Sequence, residues 1–159
     1  MRVIETKVYL FKELDEQTKE KAIRNNYDIA IQDDWYHFTK DDLKEVGIEL
    51  RSFDIDRGSY AEIHIDYFFE TCEKIIKSHG GNCETYKIAE RYIKEYNEIH
   101  CHIHDDDAIE NLDEEYQKEF SEEVLSMLRQ EYEHMISEEY IIDMFESNEY
   151  EFTAEGKII

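Results

Sequence analysis

Residues 48–66 read IELRSFDIDRGSYAEIHID. Ile48 and Leu50 share one parity, and Phe53 and Ile55 share the other. A strand alternates its faces with period two, so a change of parity requires one extra residue. A β-bulge around Arg51-Ser52 returns all four side chains to one face. Arg57-Gly58 then supplies a tight turn, and Ala61, Ile63 and Ile65 alternate in the return strand. A hairpin is thus expected in mid-chain. The patterns on either side of it are mostly helical.

Toward the N-terminus, Asp33-Asp34 precede Trp35, Phe38, Leu43 and Val46, whose offsets span about a third of a helical turn. They predict a helix that ends at Gly47, with glycine as its left-handed cap. An earlier helix is expected from Asp15, an N-cap residue, to about Tyr27, with Leu14, Thr18, Ala22 and Ile23 toward the core. Residues 3–11 (VIETKVYLF) are rich in β-branched and aromatic side chains and read as a strand.

Toward the C-terminus, Phe69, Cys72, Ile75 and Ile76 predict a helix stopping near His79-Gly80-Gly81. Tyr86, Ala89, Ile93 and Tyr96 predict the next. Residues 98–104 (EIHCHIH) alternate strictly, with Ile99, Cys101 and Ile103 opposed to His100, His102 and His104. That pattern predicts a half-buried strand.

The last third is acidic. Residues 105–155 hold 19 of the chain's 41 carboxylates and only two bases, Lys118 and Arg129. An apolar residue recurs every fourth position: Leu112, Tyr116, Phe120, Val124, Leu128, Tyr132, Ile136, Tyr140 and Met144. Amphipathic helix follows from this stripe. A four-residue repeat drifts by about 40° per step on a 3.6-residue helix, so one straight helix cannot bury all of it. A break is expected at residues 134–137, where Ser137 can cap a helix opening with Glu138-Glu139. Asn148 ends that helix, Tyr150 and Phe152 read as a short strand, and Gly156 falls in the following turn.

The fold class expected is α+β: a small, mainly antiparallel sheet (around 3–11, 48–57, 59–66 and 98–104) packed against four to five helices. Residues 1–159 are read as one domain, with a mixed part over 1–104 and an acidic helical part over 105–159. There is no proline and there are five glycines, so nothing marks a linker. The aromatic content, 12 Tyr, 8 Phe and 1 Trp, argues against an acidic disordered chain. No apolar run approaches the length of a membrane span, and the three cysteines lack paired spacing. A reduced, cytoplasmic setting is expected. The apolar stripe is expected in the core or, in part, in a homodimer contact.

A net charge of −23 disfavours direct binding to nucleic acid or anionic membranes and favours a basic protein partner. Residues 105–155 carry a net −17. Over ~76 Å of helix that is one charge per ~4.5 Å, near the ~3.4 Å of a single nucleic-acid strand. The candidate partner-binding carboxylates are Asp105, Asp106, Asp107, Glu110, Asp113, Glu114, Glu115, Glu119, Glu122 and Glu123. A solvated, merely solubilising face is the alternative.

The candidate metal ligands are His100, His102 and His104 on one strand face, with Asp105 to Asp107 following and His64 as a further donor. They carry the reading of a small metal-dependent hydrolase, against that of a polar strand edge. Asp54, Asp56 and Arg57 fit either acid–base chemistry or ordinary turn chemistry. Cys72 and Cys101 fall on apolar faces, and Cys83 is the expected exposed thiol. Phosphate-loop, dinucleotide, nucleophile-elbow and zincin motifs are all missing, so no cofactor and no catalytic residue is assigned.

The segments LDEQTKEKA (14–22), the Trp35 region, FDIDRGSY (53–60) and EYEHMISEEYIIDMFESNEYEFTAEGK (131–157) together resemble a family of small phage- and prophage-encoded proteins. Some members of that family bear the label of antitoxins. The resemblance implies a non-enzymatic accessory protein that binds and inhibits a basic host protein. The target would be a nucleic-acid-processing or defence enzyme, or a toxin. It carries no catalytic residue. A structural homo-oligomeric module is a further alternative.

Overall fold

A computed structural model of the chain describes residues 7–31, 34–102 and 106–159. Its contacts divide the chain into two compact units. One joins the described residues up to Trp35 with Glu131–Ile159, and the other is Tyr36–Gln130. Six α-helices and four short strands lie among the described residues, and the class is α+β. The strands do not form one sheet, however. They form two separate antiparallel ladders.

In the first unit, strand β1 (Tyr9–Leu10) pairs with β4 (Glu151–Phe152). The strand expected over 3–11 is cut short because residues 11–13 turn into a single 3-10 helix that sends Phe11 into the core. The part of that expectation before residue 7 lies outside the described residues. Helix α1 (Glu16–Asn25) opens at Asp15, whose carboxylate accepts from the Thr18 backbone N–H at 3.0 Å and the Thr18 hydroxyl at 2.9 Å. The backbone bond, then the hydroxyl bond, hold the Asp15 carboxyl below its ordinary pKa. Phe11, Leu14, Ala22, Ile141, Phe145 and Phe152 form the core. Helix α6 (Glu138–Ser147) contributes Ile141 and Phe145. Its cap is Ser137, which accepts from the Tyr140 N–H at 3.3 Å. The helix break therefore falls where the stripe predicts it. After the break the buried positions shift by one residue, from Tyr140 and Met144 to Ile141 and Phe145.

The second unit is built around the hairpin. Strand β2 (Ile48–Asp54) pairs with β3 (Tyr60–Ile65), and the register slips between Leu50 and Ser52. Arg51 is thus the extra residue. The bulge sets Ile48 opposite Ile65, Leu50 opposite Ile63 and Phe53 opposite Ala61, so the apolar side chains share one face. Helix α2 (His37–Val46) precedes the hairpin and ends at Gly47, with φ +102. A Cβ there would lie 2.8 Å from the Thr71 hydroxyl oxygen. Only Leu43 and Val46 of α2 are buried; Phe38 is 66% exposed. Phe38 sits ~140° from Leu43 and ~80° from Val46 about the helix axis, outside the face those two bury. Trp35 precedes α2 and meets Tyr132 edge-on at 5.7 Å within the first unit. Of the Asp33-Asp34 pair that precedes the helix, Asp33 lies outside the described residues.

Helix α3 (Phe68–Ser78) buries Phe68, Thr71, Cys72 and Ile75. Helix α4 (Glu84–His102) buries Thr85, Ile88, Ala89 and Tyr92, so its inner face is rotated from the expected Tyr86–Ile93 line. Thr85 and Tyr92 carry polar atoms and are easily passed over as core residues. The strand expected over 98–104 is not formed in its described part, because α4 runs through to His102. No glycine or proline occurs between Asn82 and residue 104, so extending the helix adds a hydrogen bond per residue, whereas a lone strand gains none. Tyr96 and His100, four residues apart, stack at 5.7 Å with planes 13° apart.

Helix α5 (Asp106–Met135) follows. Leu112, Tyr116, Phe120, Val124 and Leu128 are all buried. Over four steps the repeat winds by ~160°, so the buried line curls around the helix. It meets α3 and α4 through rings: Tyr116 lies 5.4 Å from Tyr92, and Phe120 lies 6.2 Å from Phe68.

Candidate functional site: the acidic helix face

The α4–α5 contact sorts the acidic side chains into two sets. Asp113, Glu119 and Glu123 are half-buried beside α4. The Tyr92 hydroxyl donates to Asp113 Oδ1 at 2.6 Å. Tyr116, on α5, donates back to Glu95 Oε1 at 2.9 Å. Arg91 forms an ion pair with Glu119. Burial raises the Asp113 carboxyl above its ordinary pKa, and the Tyr92 hydrogen bond reverses part of that rise. Burial also raises Glu123, reinforced by the charge of Glu84 and opposed by Lys87. Both tyrosine hydroxyls are pushed up, first by burial and then by the carboxylate each one faces. These groups tie two helices together.

The second set faces outward. Asp106, Asp107, Glu110, Glu114, Glu115 and Glu122 are exposed. Among the described residues, none has a base within ion-pair distance. At 100° per residue Glu110, Glu114 and Glu122 lie ~160° around the helix from the buried residues nearest to them, and Glu115 lies at the flank of the stripe. Helix α5 holds eleven carboxylates against Lys118 and Arg129 alone. Its thirty residues span ~45 Å, so the net charge averages one per ~5 Å. Asp105 lies outside the described residues.

The histidines are placed differently from the expectation. His100 is exposed on helical backbone, where consecutive residues point ~100° apart, so the shared strand face for His100 and His102 is not present. His104 and the side chain of His102 lie outside what is described. His64 is bonded through Nε2 to Asp66 Oδ1 at 2.9 Å. Among the described residues, no group of three or more His, Cys, Asp or Glu side chains is arranged to hold a metal ion.

Asp54 Oδ1 accepts from the Asp56 N–H at 2.7 Å, and the Ser59 hydroxyl donates to the Asp56 carbonyl at 2.8 Å. These are turn-forming bonds between neighbours in sequence. Cys72 is fully buried, and burial together with the charge of Asp113 pushes its thiol up to about 12. Cys83 and Cys101 are exposed. Cys101 departs from expectation because its segment is helix rather than half-buried strand.

The fold also assembles a feature that no stretch of sequence displays. Lys40 and Lys44 from α2, Arg51 from β2 and His64 from β3 line one groove. The spacing of Lys40 and Lys44, four apart on a helix, is the one local sign of it. Among the described residues, no helix is long and apolar enough to cross a membrane. Comparison of the chain with protein-family models, with curated proteins and with solved structures finds no match in any of the three.

Proposed function

We propose that the chain is a non-enzymatic, phage- or prophage-type accessory protein that binds and inhibits a basic protein in the cytoplasm of a bacterial host. The outer face of α5 is its contact surface in this reading. The observation that carries the reading is the set of exposed, unpaired carboxylates Asp106, Asp107, Glu110, Glu114, Glu115 and Glu122. Such a face has a strong field and little internal compensation. It favours encounter with a basic groove of the kind that otherwise receives nucleic acid. The phage attribution rests on the resemblance of residues 14–22, 53–60 and 131–157 described above.

The test compares the wild type with a variant in which those six carboxylates become amides (Asp→Asn, Glu→Gln). Both are used to capture proteins from a bacterial lysate at about 50 mM and about 500 mM salt, where the Debye length falls from ~14 Å to ~4 Å. The expected result is one basic protein held by the wild type at low salt, released at high salt and not held by the variant. A circular dichroism spectrum unchanged by the substitutions confirms that α5 is intact. Equal capture by both forms, or capture indifferent to salt, refutes the reading.

A further inference from the structure

We propose that the groove between α2 and the β2–β3 hairpin binds a phosphomonoester carried on a planar ring, of the nucleoside monophosphate class. The inference is independent of the acidic face and of any reading of its partner. The groove holds about 660 Å³ and is lined by Lys40, Lys44 and Arg51, with His64 and Gly47 beside them. That volume suits a small organic ligand.

The cations are arranged to meet a dianion. Among the described residues, Lys40, Lys44 and Lys74 have no carboxylate within ion-pair distance. The Lys74 ammonium lies beside Gly47, 4.0 Å from where a side chain would begin there. Arg51 meets Glu49 through Nε alone, at 3.2 Å. Its two terminal nitrogens remain as a fork of the type that grips phosphate through two bonds. Arg51 keeps the alternation of β2, exposed on the same face as Glu49, and lines the groove together with Lys40 and Lys44. The acids on the groove are Glu49 and Asp66, and each is already engaged, by Arg51 and His64 respectively. The site is therefore locally cationic in a chain of net charge −23. At physiological salt the Debye length is ~8 Å, so carboxylates farther than that from the groove act only weakly on a bound ion.

A second lobe of about 350 Å³ adjoins the first and shares Lys40, Leu50 and Arg51 with it. Tyr36 and Phe53 form its wall, edge to face at 4.8 Å. Lys40 Nζ lies 5.8 Å over the Tyr36 ring and so stands at the junction between aromatic wall and cationic floor. An apolar, ring-lined lobe joined to a cationic one fits a ligand with a planar body and a charged end.

Calorimetric titration with adenosine 5′-monophosphate, adenosine and inorganic phosphate tests this. The proteins are the wild type, K44Q/R51Q and, as a charge-matched control away from the groove, K118Q/R129Q. Lys44 and Arg51 are exposed, so the double variant keeps the core. The expected result is saturable one-to-one binding of the monophosphate, at least tenfold tighter than of adenosine or phosphate alone. K44Q/R51Q loses at least tenfold in affinity, and the control loses none. Lack of saturable binding overturns the proposal, as does equal affinity for phosphate or adenosine, or equal loss in the control.

Discussion

Replacing Tyr92 by Phe isolates one bond in the α4–α5 contact. The ring of Tyr92 is 1% exposed and packs on Phe68 at 5.2 Å and Tyr116 at 5.4 Å, and phenylalanine preserves all of that packing. What it removes is the hydroxyl that donates to Asp113 at 2.6 Å. A hydrogen bond to a charged acceptor contributes roughly 1.5–3 kcal/mol. For a chain of this length that corresponds to about 3–12 °C in Tm. Asp113 also sets the pH dependence. Its pKa in the fold is raised above the ordinary 3.8, first by burial, while the Tyr92 bond lowers it in part. A carboxyl raised by folding holds its proton more tightly in the native state. Its contribution is complete below the unfolded pKa and is lost as pH rises through the folded one. Removing the hydroxyl raises that folded pKa further and enlarges the loss. The difference between wild type and Y92F is therefore largest near neutral pH and shrinks in acid. Thermal melts followed by circular dichroism at about pH 4 and about pH 7 measure it. In the D113N background the same change meets a neutral acceptor, so it costs only ~1 kcal/mol and is independent of pH. A difference under ~0.5 kcal/mol near neutral pH, or one that does not vary with pH, refutes the reasoning.

Two further outcomes are expected. Gly156 has φ +78, and a Cβ there would lie 2.9 Å from the Thr18 carbonyl oxygen, so G156A destabilises the first unit by ~2 kcal/mol or more in urea unfolding; an effect below ~0.5 kcal/mol contradicts that geometry. Cys72 is buried and its thiol is pushed up to about 12, whereas Cys83 and Cys101 are exposed. Iodoacetamide followed by mass spectrometry should therefore mark Cys83 and Cys101 and spare Cys72 until the chain is unfolded, and equal labelling of all three in the native state contradicts it.

Local signals were legible in the sequence, and each has a short-range cause. The parity change between Leu50 and Phe53 encodes the bulge at Arg51, because strand period is a property of a few consecutive residues. Asp15, Ser137 and Gly47 end or begin helices by bonds and dihedral angles that reach no further than four residues. The drift of the four-residue stripe foretold the interruption at Ser137 for the same geometric reason. The α+β class and the acidity of α5 follow from such patterns.

Tertiary structure decided what those patterns leave open. Alternation over 98–102 is compatible with strand, but an alternating segment becomes one only if another strand offers its edge. Helix α4 continues through it instead, and the histidine face is not formed. Strand β1 likewise takes its partner from a segment remote in sequence, β4. Packing against α4 divided the carboxylates of α5, turning Asp113, Glu119 and Glu123 toward Tyr92, Arg91 and Lys87 while six others stayed in solvent. It also gathered Lys40, Lys44 and Arg51 from two elements into one groove. Periodicity gives each residue an angle about its own axis; which neighbour it meets at that angle is fixed only when the elements pack.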